Sequence, residues 1–523
     1  MNLDLKLYLD SIEKKINFSN TALSLFIICV IALFLRLYFF EPKIPVTLDA
    51  LGYFWYANDL SIAGKFSGSV ANNGWPTFLS VFFSIFHFDN FMDYMILQRV
   101  ITILISTITV IPVYLLCRKF FDKPYAIFGS TLFAFEPRII QNSLLGITEP
   151  LYIILLTSAF VLFMSSNKKM MYASFGITSL STLVRAEGMF LFLALSIMFF
   201  VRYKKDRKVI IKYVLAATIF ILLLLPMISV RIQTSGNDGL TSHVLVGASY
   251  VTDITSSKDS KELALFLYVI GGLEILFKYL GWIMIPLFIF FVPSGAFLIF
   301  KNRSHNNITI ILPLIILSIP ALYAYSNENQ ETRYLYVLYP LFSVLSIFTV
   351  RFFGDRIKNK NIFLILLICG VLLSSGIFLN FKKFDIEHEN EAWSLAYHVI
   401  NRTSVINQYL PESKYVIITG MTLLENFPIL HSDFKGEPSP TIRFNADTIE
   451  EYIGLARENG LTHLIVDDIE NSYRPSFFKD IFYNEEKYPY LIKEFDSWDH
   501  GYMYHLKIYK INYDKFDSII KDN

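Results

Sequence analysis

The side chains able to move protons or grip a phosphate are few, and they gather at the ends of apolar runs. Asp49 stands in Thr47-Leu48-Asp49-Ala50-Leu51-Gly52-Tyr53, just beyond the first such run. Glu149 stands in Thr148-Glu149-Pro150-Leu151, with Glu136-Pro137-Arg138 upstream. Arg185 and Glu187 share the short turn Leu183-Val184-Arg185-Ala186-Glu187-Gly188, and Arg333 precedes Tyr334 in Glu331-Thr332-Arg333-Tyr334. Asp frequently does no more than cap a helix, which is the bland account of Asp49. Boundary arginines usually snorkel to headgroups, which is the bland account of Arg36 and Arg231. Acids gain nothing from anionic headgroups, and charge at membrane depth tends to mark a substrate path, so Asp49, Glu149 and Glu187 ask for more. A carboxylate can take the proton of an attacking hydroxyl. A planar guanidinium can hold a phosphate with two hydrogen bonds.

The elements that must carry these groups are set by composition. Of 523 residues, 54% are hydrophobic and 16% aromatic but only 17% charged, against about a quarter in soluble domains. A net charge of +1 argues against a nucleic-acid partner, and 49 Phe with 31 Tyr argue against disorder. Three cysteines in apolar runs make no disulfide framework, and nine scattered histidines make no zinc pattern. Apolar stretches near 21–40, 93–117, 124–140, 150–166, 170–184, 188–202, 210–230, 280–300, 308–325, 334–350 and 361–380 suggest about eleven spans. Their connections differ in charge. Segments 1–20, 118–123, 167–169, 202–209, 301–307 and 351–360 carry 19 Lys and Arg in 54 residues. Segments 41–92, 137–149, 185–187, 231–279 and 326–333 carry 9 in 125. The positive-inside rule then puts the N-terminus in the cytoplasm and everything beyond about residue 385 outside.

Two exterior regions exceed mere connectors. In the first loop, Asp49 to Ala63 reads as a helix at the membrane surface, and Asn72-Asn73-Gly74-Trp75-Pro76 opens the apolar run Thr77 to Phe88. The other is the tail, 385–523, set apart from a membrane domain over 1–384. There Glu387 to Ser404 suggests an amphipathic helix, and Lys414 to Thr419 and His463 to Val466 suggest short strands. Asp447 with Glu450 reads as a capping box for a helix ending at Gly460. A helix over Ser476 to Tyr483 and strands over Tyr490 to Phe495 and Met503 to Ile511 complete a small α/β domain. With no phosphate loop, nucleophile elbow or acid pair, it reads as a guiding or packing domain.

The order of these parts resembles the GT-C glycosyltransferases. A first-loop acid, TEPL opening the fourth span, RAEG between spans five and six, and RYLYVLYP opening a late span occur in sequence over roughly 20–380. The likeness is nearest to the branch of protein mannosyltransferases and aminoarabinose transferases, which use polyprenyl-phosphate-linked sugars. The tail resembles those of archaeal members. The resemblance implies a mainly α, polytopic membrane fold that moves a single sugar from a polyprenyl (dolichyl) phosphate to an acceptor hydroxyl on protein, lipid or glycan. It implies Asp49 as the catalytic acid of the first loop and Glu149 as that of the second. Arg138, Arg185 and Arg333 become candidates for the lipid phosphate, with Glu187 and Tyr53 beside the substrate. Where relatives carry an acidic pair, Asp49 is followed by Ala50, so no metal or other cofactor is assigned. The oligosaccharyltransferase signature of the WWDYG type is absent, which favours single-sugar over en-bloc transfer. Attack without a covalent glycosyl-enzyme would invert the anomeric centre. The rival class is a transporter or lipid-linked glycan flippase, for which mid-span charges and repeated halves are expected.

Overall fold

The computed structural model describes residues 21–46, 49–64, 73–88, 91–236, 238, 261–301, 308–327, 329–381, 391, 395, 406–407, 441–442, 446–458, 460–467 and 475–522. Contacts group the chain into two units. One comprises Met1–Phe40, Gly52–Ile85 and Leu97–Lys383, the other Glu41–Leu51, Phe86–Ile96 and Phe384–Asn523.

The helices before the tail are α1 (Thr21–Tyr38), α2 (Asp49–Asn58), α3 (Gly74–Ile85), α4 (Phe91–Ile108), α5 (Val110–Arg118), α6 (Lys123–Ala134), α7 (Pro137–Ser143) and α8 (Glu149–Phe163). After them come α9 (Lys168–Val184), α10 (Gly188–Tyr203), α11 (Val209–Ser235), α12 (Lys261–Met284), α13 (Val292–Lys301), α14 (Ile308–Ser326), α15 (Tyr339–Gly354) and α16 (Lys360–Phe381). Among the described residues, seven helices are long and apolar enough to cross a membrane. These are α1, α4 running into α5, α11, α12, α14, the 3-10 turn Thr332–Leu338 with α15, and α16. Shorter apolar helices, α3, α8, α10 and α13 among them, fill in between.

Prolines account for several departures from the expected spans. The stretch 124–140 is not one helix. Pro137 has no N–H to continue α6 and instead starts α7, with Glu136 as N-cap accepting from the Arg138 amide at 3.4 Å. Pro112 crowds the Ile108 carbonyl and separates α4 from α5 at Thr109. The expected span 280–300 is divided, because α12 ends at Met284, Pro286 follows, and α13 begins only at Val292. The end of the expected connection 231–279, from Lys261 on, lies inside α12. Polar residues do not break α9: Ser174, Thr178, Ser181 and Thr182 are buried and each bonds back to a carbonyl three or four residues earlier.

The tail carries a five-stranded mixed sheet in the order β2-β1-β3-β5-β4. Its strands are β1 (Ile406–Asn407), β2 (Thr441–Ile442), β3 (His463–Asp467), β4 (Leu491–Asp496) and β5 (Leu506–Ile511). β1 runs parallel to β2 and β3, while β5 is antiparallel to both β3 and β4. Strand alternation sends Leu464 and Val466 to one face and Ile465 to the other. The first face packs on α17 (Ile449–Arg457), α18 (Phe477–Tyr483) and Phe516 of α19 (Tyr513–Asp522); the second holds Leu395, Phe495 and Ile508. The capping box is one residue later than expected. Thr448 accepts from the Glu451 amide at 3.2 Å and Glu451 reaches back to the Asp447 amide at 3.0 Å, with Thr448 in the extended backbone of an N-cap. The helix stops before Gly460, whose φ is +81°. The expected strand at 414–419 and all but two residues of the expected helix at 387–404 lie outside the described residues.

Candidate functional site

Glu149 and Arg185 come from two different turns that converge. After α7 the chain reverses at Gly146, whose φ of +77° favours glycine. The carbonyls left open there are filled by one face of α4. Thr102 donates to Ser143 O (2.8 Å), Arg99 to Leu144 O (2.7 Å) and Gln98 to Gly146 O (2.7 Å). This turn delivers Glu149 as the first residue of α8, where the helix dipole favours an anion. On the other side α9 ends at Val184, and Arg185 leaves it in an extended conformation. The following turn needs Gly188, since a Cβ there would stand 2.6 Å from the Thr182 amide nitrogen.

Arg185 bridges two acids. Its Nη1 meets Glu149 Oε1 at 2.7 Å and Thr148 Oγ1 at 3.1 Å, while its Nη2 meets Glu187 Oε1 at 2.7 Å. Glu149 is 1% exposed and Arg185 9%, so both charges are withdrawn from water and lean on each other. The guanidinium carbon lies 5.8 Å from the centre of the Tyr334 ring. A small cleft opens here, lined by Glu149, Tyr152, Arg185, Glu187, Leu317, Pro320, Arg333, Tyr334 and Val337. Arg333 is paired through Nε with Glu331 at its edge. Four of the seven expected site residues, Glu149, Arg185, Glu187 and Arg333, therefore share one cleft. Tyr53 is buried in the same unit, within electrostatic range of Arg185 but not on the cleft wall.

Arg138 is held elsewhere in the unit. It donates to the Ile285 carbonyl, lies 3.6 Å from Glu136 Oε1, and faces the rings of Phe378 (5.1 Å) and Trp282 (5.7 Å). Its partner Glu136 stands in the Glu136-Pro137-Arg138 motif but is not among the expected site residues. It is fully buried, accepts from the Tyr339 hydroxyl at 3.4 Å, and leaves Oε2 without a hydrogen-bond partner among the described residues. An acid inside the apolar run 124–140 was the available signal. Tyr336, on the 3-10 turn, is within electrostatic range of Glu136, Arg138 and Glu149, between the two clusters. The RYLYVLYP segment thus faces both.

Asp49 is the exposed first residue of α2. The apolar residues that suggested a surface helix are instead buried in protein: Phe54 is fully covered and packs edge-on against Phe83 of α3. Arg36 departs further from expectation. It does not snorkel but is fully buried, donating to Ala32 O and Ala134 O at 3.1 Å each and to Ser106 Oγ at 3.0 Å. It closes the last turn of α6, whose terminal carbonyls Pro137 cannot serve. Among the described residues no three His, Cys, Asp or Glu side chains converge as metal ligands would.

No protein-family model matches the chain, and no curated protein matches it by sequence. Solved structures do. ArnT from Cupriavidus metallidurans bound to undecaprenyl phosphate aligns over 94% of this chain and 98% of its own, with a TM-score of 0.57 at 8% identity. The Archaeoglobus fulgidus oligosaccharyltransferase tethered to an acceptor peptide containing the NVT sequon aligns over 86% of this chain and 69% of its own, with a TM-score of 0.56 at 13% identity. The same enzyme in its apo form gives 0.55 at 12% identity, over 86% and 70%. At such identities the likeness is one of fold, and it spans membrane helices and tail alike. The chain shares its fold with the archaeal oligosaccharyltransferase and with ArnT.

Proposed function

We propose that the protein is an integral membrane glycosyltransferase that moves one sugar from a polyprenyl phosphate to an acceptor hydroxyl at the outer face of the membrane. The observation that carries this reading is the buried Glu149–Arg185–Glu187 cluster, opening on a cleft with Arg333 and Tyr334, in a chain with the GT-C fold. The neighbours add chemistry of the same kind, since one is bound to undecaprenyl phosphate and the other to an acceptor peptide.

In the reaction the acceptor oxygen attacks the anomeric carbon as the bond from that carbon to the phosphate oxygen breaks. The hydroxyl proton passes to a carboxylate, and the bonding pair leaves with the polyprenyl phosphate. Asp49 is assigned the base, its exposure leaving room for an acceptor. Arg185 and Arg333 are assigned the phosphate, where charge develops on the leaving oxygen. Glu149 and Glu187 hold the Arg185 fork in a fixed plane. Arg138, gripped by Glu136 and two aromatic rings, is assigned the lipid-proximal side of the phosphate. A direct displacement of this kind inverts the anomeric configuration.

The test is incubation of the purified full chain in proteoliposomes with a panel of polyprenyl-phosphate hexoses and pentoses and with peptide, lipid and glycan acceptors. Mass spectrometry should find an acceptor heavier by one sugar together with free polyprenyl phosphate. NMR of the product should show the anomeric configuration opposite to that of the donor. Donor appearing intact in the opposite leaflet, without product, would replace the transferase with a flippase.

A further inference from the structure

The segment Asn73-Gly74-Trp75 takes no part in the chemistry above, yet it touches both turns that carry it. Trp75 is fully buried and its indole Nε1 donates to the Gly146 carbonyl at 3.2 Å, beside the Gln98 amide on the same oxygen. Gly146 lies three residues before Glu149. Gly74 has no room for a side chain. A Cβ there would stand 2.5 Å from the carbonyl carbon of Leu183, 2.6 Å from its oxygen and 2.7 Å from the amide nitrogen of Val184. Those backbone atoms lie directly ahead of Arg185. The start of α3 is itself fixed, because Thr77 bonds the Asn73 carbonyl through both its hydroxyl (2.7 Å) and its amide (3.0 Å).

We infer that Gly74 and Trp75 are positioning residues that set the register of Glu149 against Arg185. The inference rests on reading that pair as part of the transferase site. The pair cannot fix its own geometry. An arginine side chain turns about several torsions, so charge attraction alone permits many relative placements of the two turns. A reactive constellation needs its groups held within about 0.5 Å, by neighbours that are themselves locked. Here one rigid helix start meets the backbone of both turns. It touches one by close approach, which only glycine allows, and the other through a hydrogen bond that an indole can donate. Any movement of α3 therefore shifts both partners together, and their spacing is preserved.

The test is a double-mutant cycle on the full chain in nanodiscs, with the most active sugar donor from the panel and with melting temperature followed in parallel. Trp75→Phe keeps an aromatic ring but removes the N–H together with part of the buried indole volume, so the melting temperature reports the packing loss beside the turnover. This variant should lower turnover by about tenfold, since a displacement of 1 Å at a site can cost about 10²-fold. In a Glu149→Gln background the same change should cost less than about twofold, because the group being positioned is already gone. Gly74→Ala should lower turnover at least as far as Trp75→Phe. Should that variant fail to fold, Gln98→Leu, which removes the other donor to Gly146, takes its place in the cycle. An equal loss in both backgrounds, or none in either, would overturn the positioning role. Full turnover of Glu149→Gln by itself would instead overturn the assignment of Glu149, a result separable from the first.

Discussion

Asp49→Asn keeps the size of the side chain and an oxygen able to cap α2 but cannot accept a proton at neutral pH. If Asp49 is the base, turnover falls by about 10²–10⁴-fold with donor binding retained. If it only caps α2, the variant works nearly as well as wild type, since Asn caps as well as Asp. Turnover and donor binding measured in the same membranes separate the two. Arg185 offers a second contrast. Its two nitrogens serve two acids at once, which a lysine ammonium cannot match in plane. If Arg185 holds the polyprenyl phosphate as proposed, Arg185→Lys should lose most of the affinity for that donor, and Arg185→Ala should lose more while leaving Glu149 buried without its cation. Undisturbed binding in both variants would move the phosphate toward Arg138.

The break between α6 and α7 is held from a distance by Arg36 of α1. Arg36→Leu removes the donor to Ala134 O and to Ser106 Oγ, leaving buried acceptors open. Each such acceptor costs about 1–3 kcal/mol, so the variant should melt several degrees below wild type in detergent. An unchanged melting temperature would show that the break is fixed by Pro137 and Glu136 alone. In the tail, Thr448→Ala removes the N-cap of α17 and should cost about 1 kcal/mol, read as faster hydrogen exchange over 449–457.

For the whole molecule, we propose from the charge asymmetry between alternate connections that the tail lies outside. A protease added to sealed, right-side-out vesicles should then remove the residues beyond about 385, and protection of the tail would move every assigned group to the wrong side. The tail should also respond to acid in two windows. Burial holds the imidazole of His463 below its ordinary value of 6.5, with Glu494 at 3.3 Å partly offsetting this. A depressed histidine means the unfolded chain binds the extra proton, so its contribution is lost as pH falls through about 6.5. Glu485 is held down to about 2 from 4.5, first by the Tyr509 hydroxyl at 2.6 Å and then by Lys493 and Lys507. Its contribution is present above 4.5 and lost as pH falls toward 2. Hydrogen exchange over 491–511 in the full chain should accelerate in both windows, and Glu485→Gln should flatten the lower one.

Hydropathy and the order of boundary motifs determined the class of this protein, because lipid demands long apolar helices whatever their arrangement. The α/β tail was legible for the same local reason, as His463–Val466 and Phe477–Tyr483 carry strand and helix periods that survive tertiary context. What only the tertiary structure decided is which charges meet. Glu149 and Arg185 are 36 residues apart, and nothing in sequence distinguishes that pair from Glu149 with Arg138, an arginine also at the end of an apolar run. Helix packing put the first pair at 2.7 Å and gave Arg138 to Glu136 instead. Packing likewise turned Arg36 from the lipid boundary into the interior, since rotation about a helix axis, which composition does not encode, decides between headgroup and carbonyl.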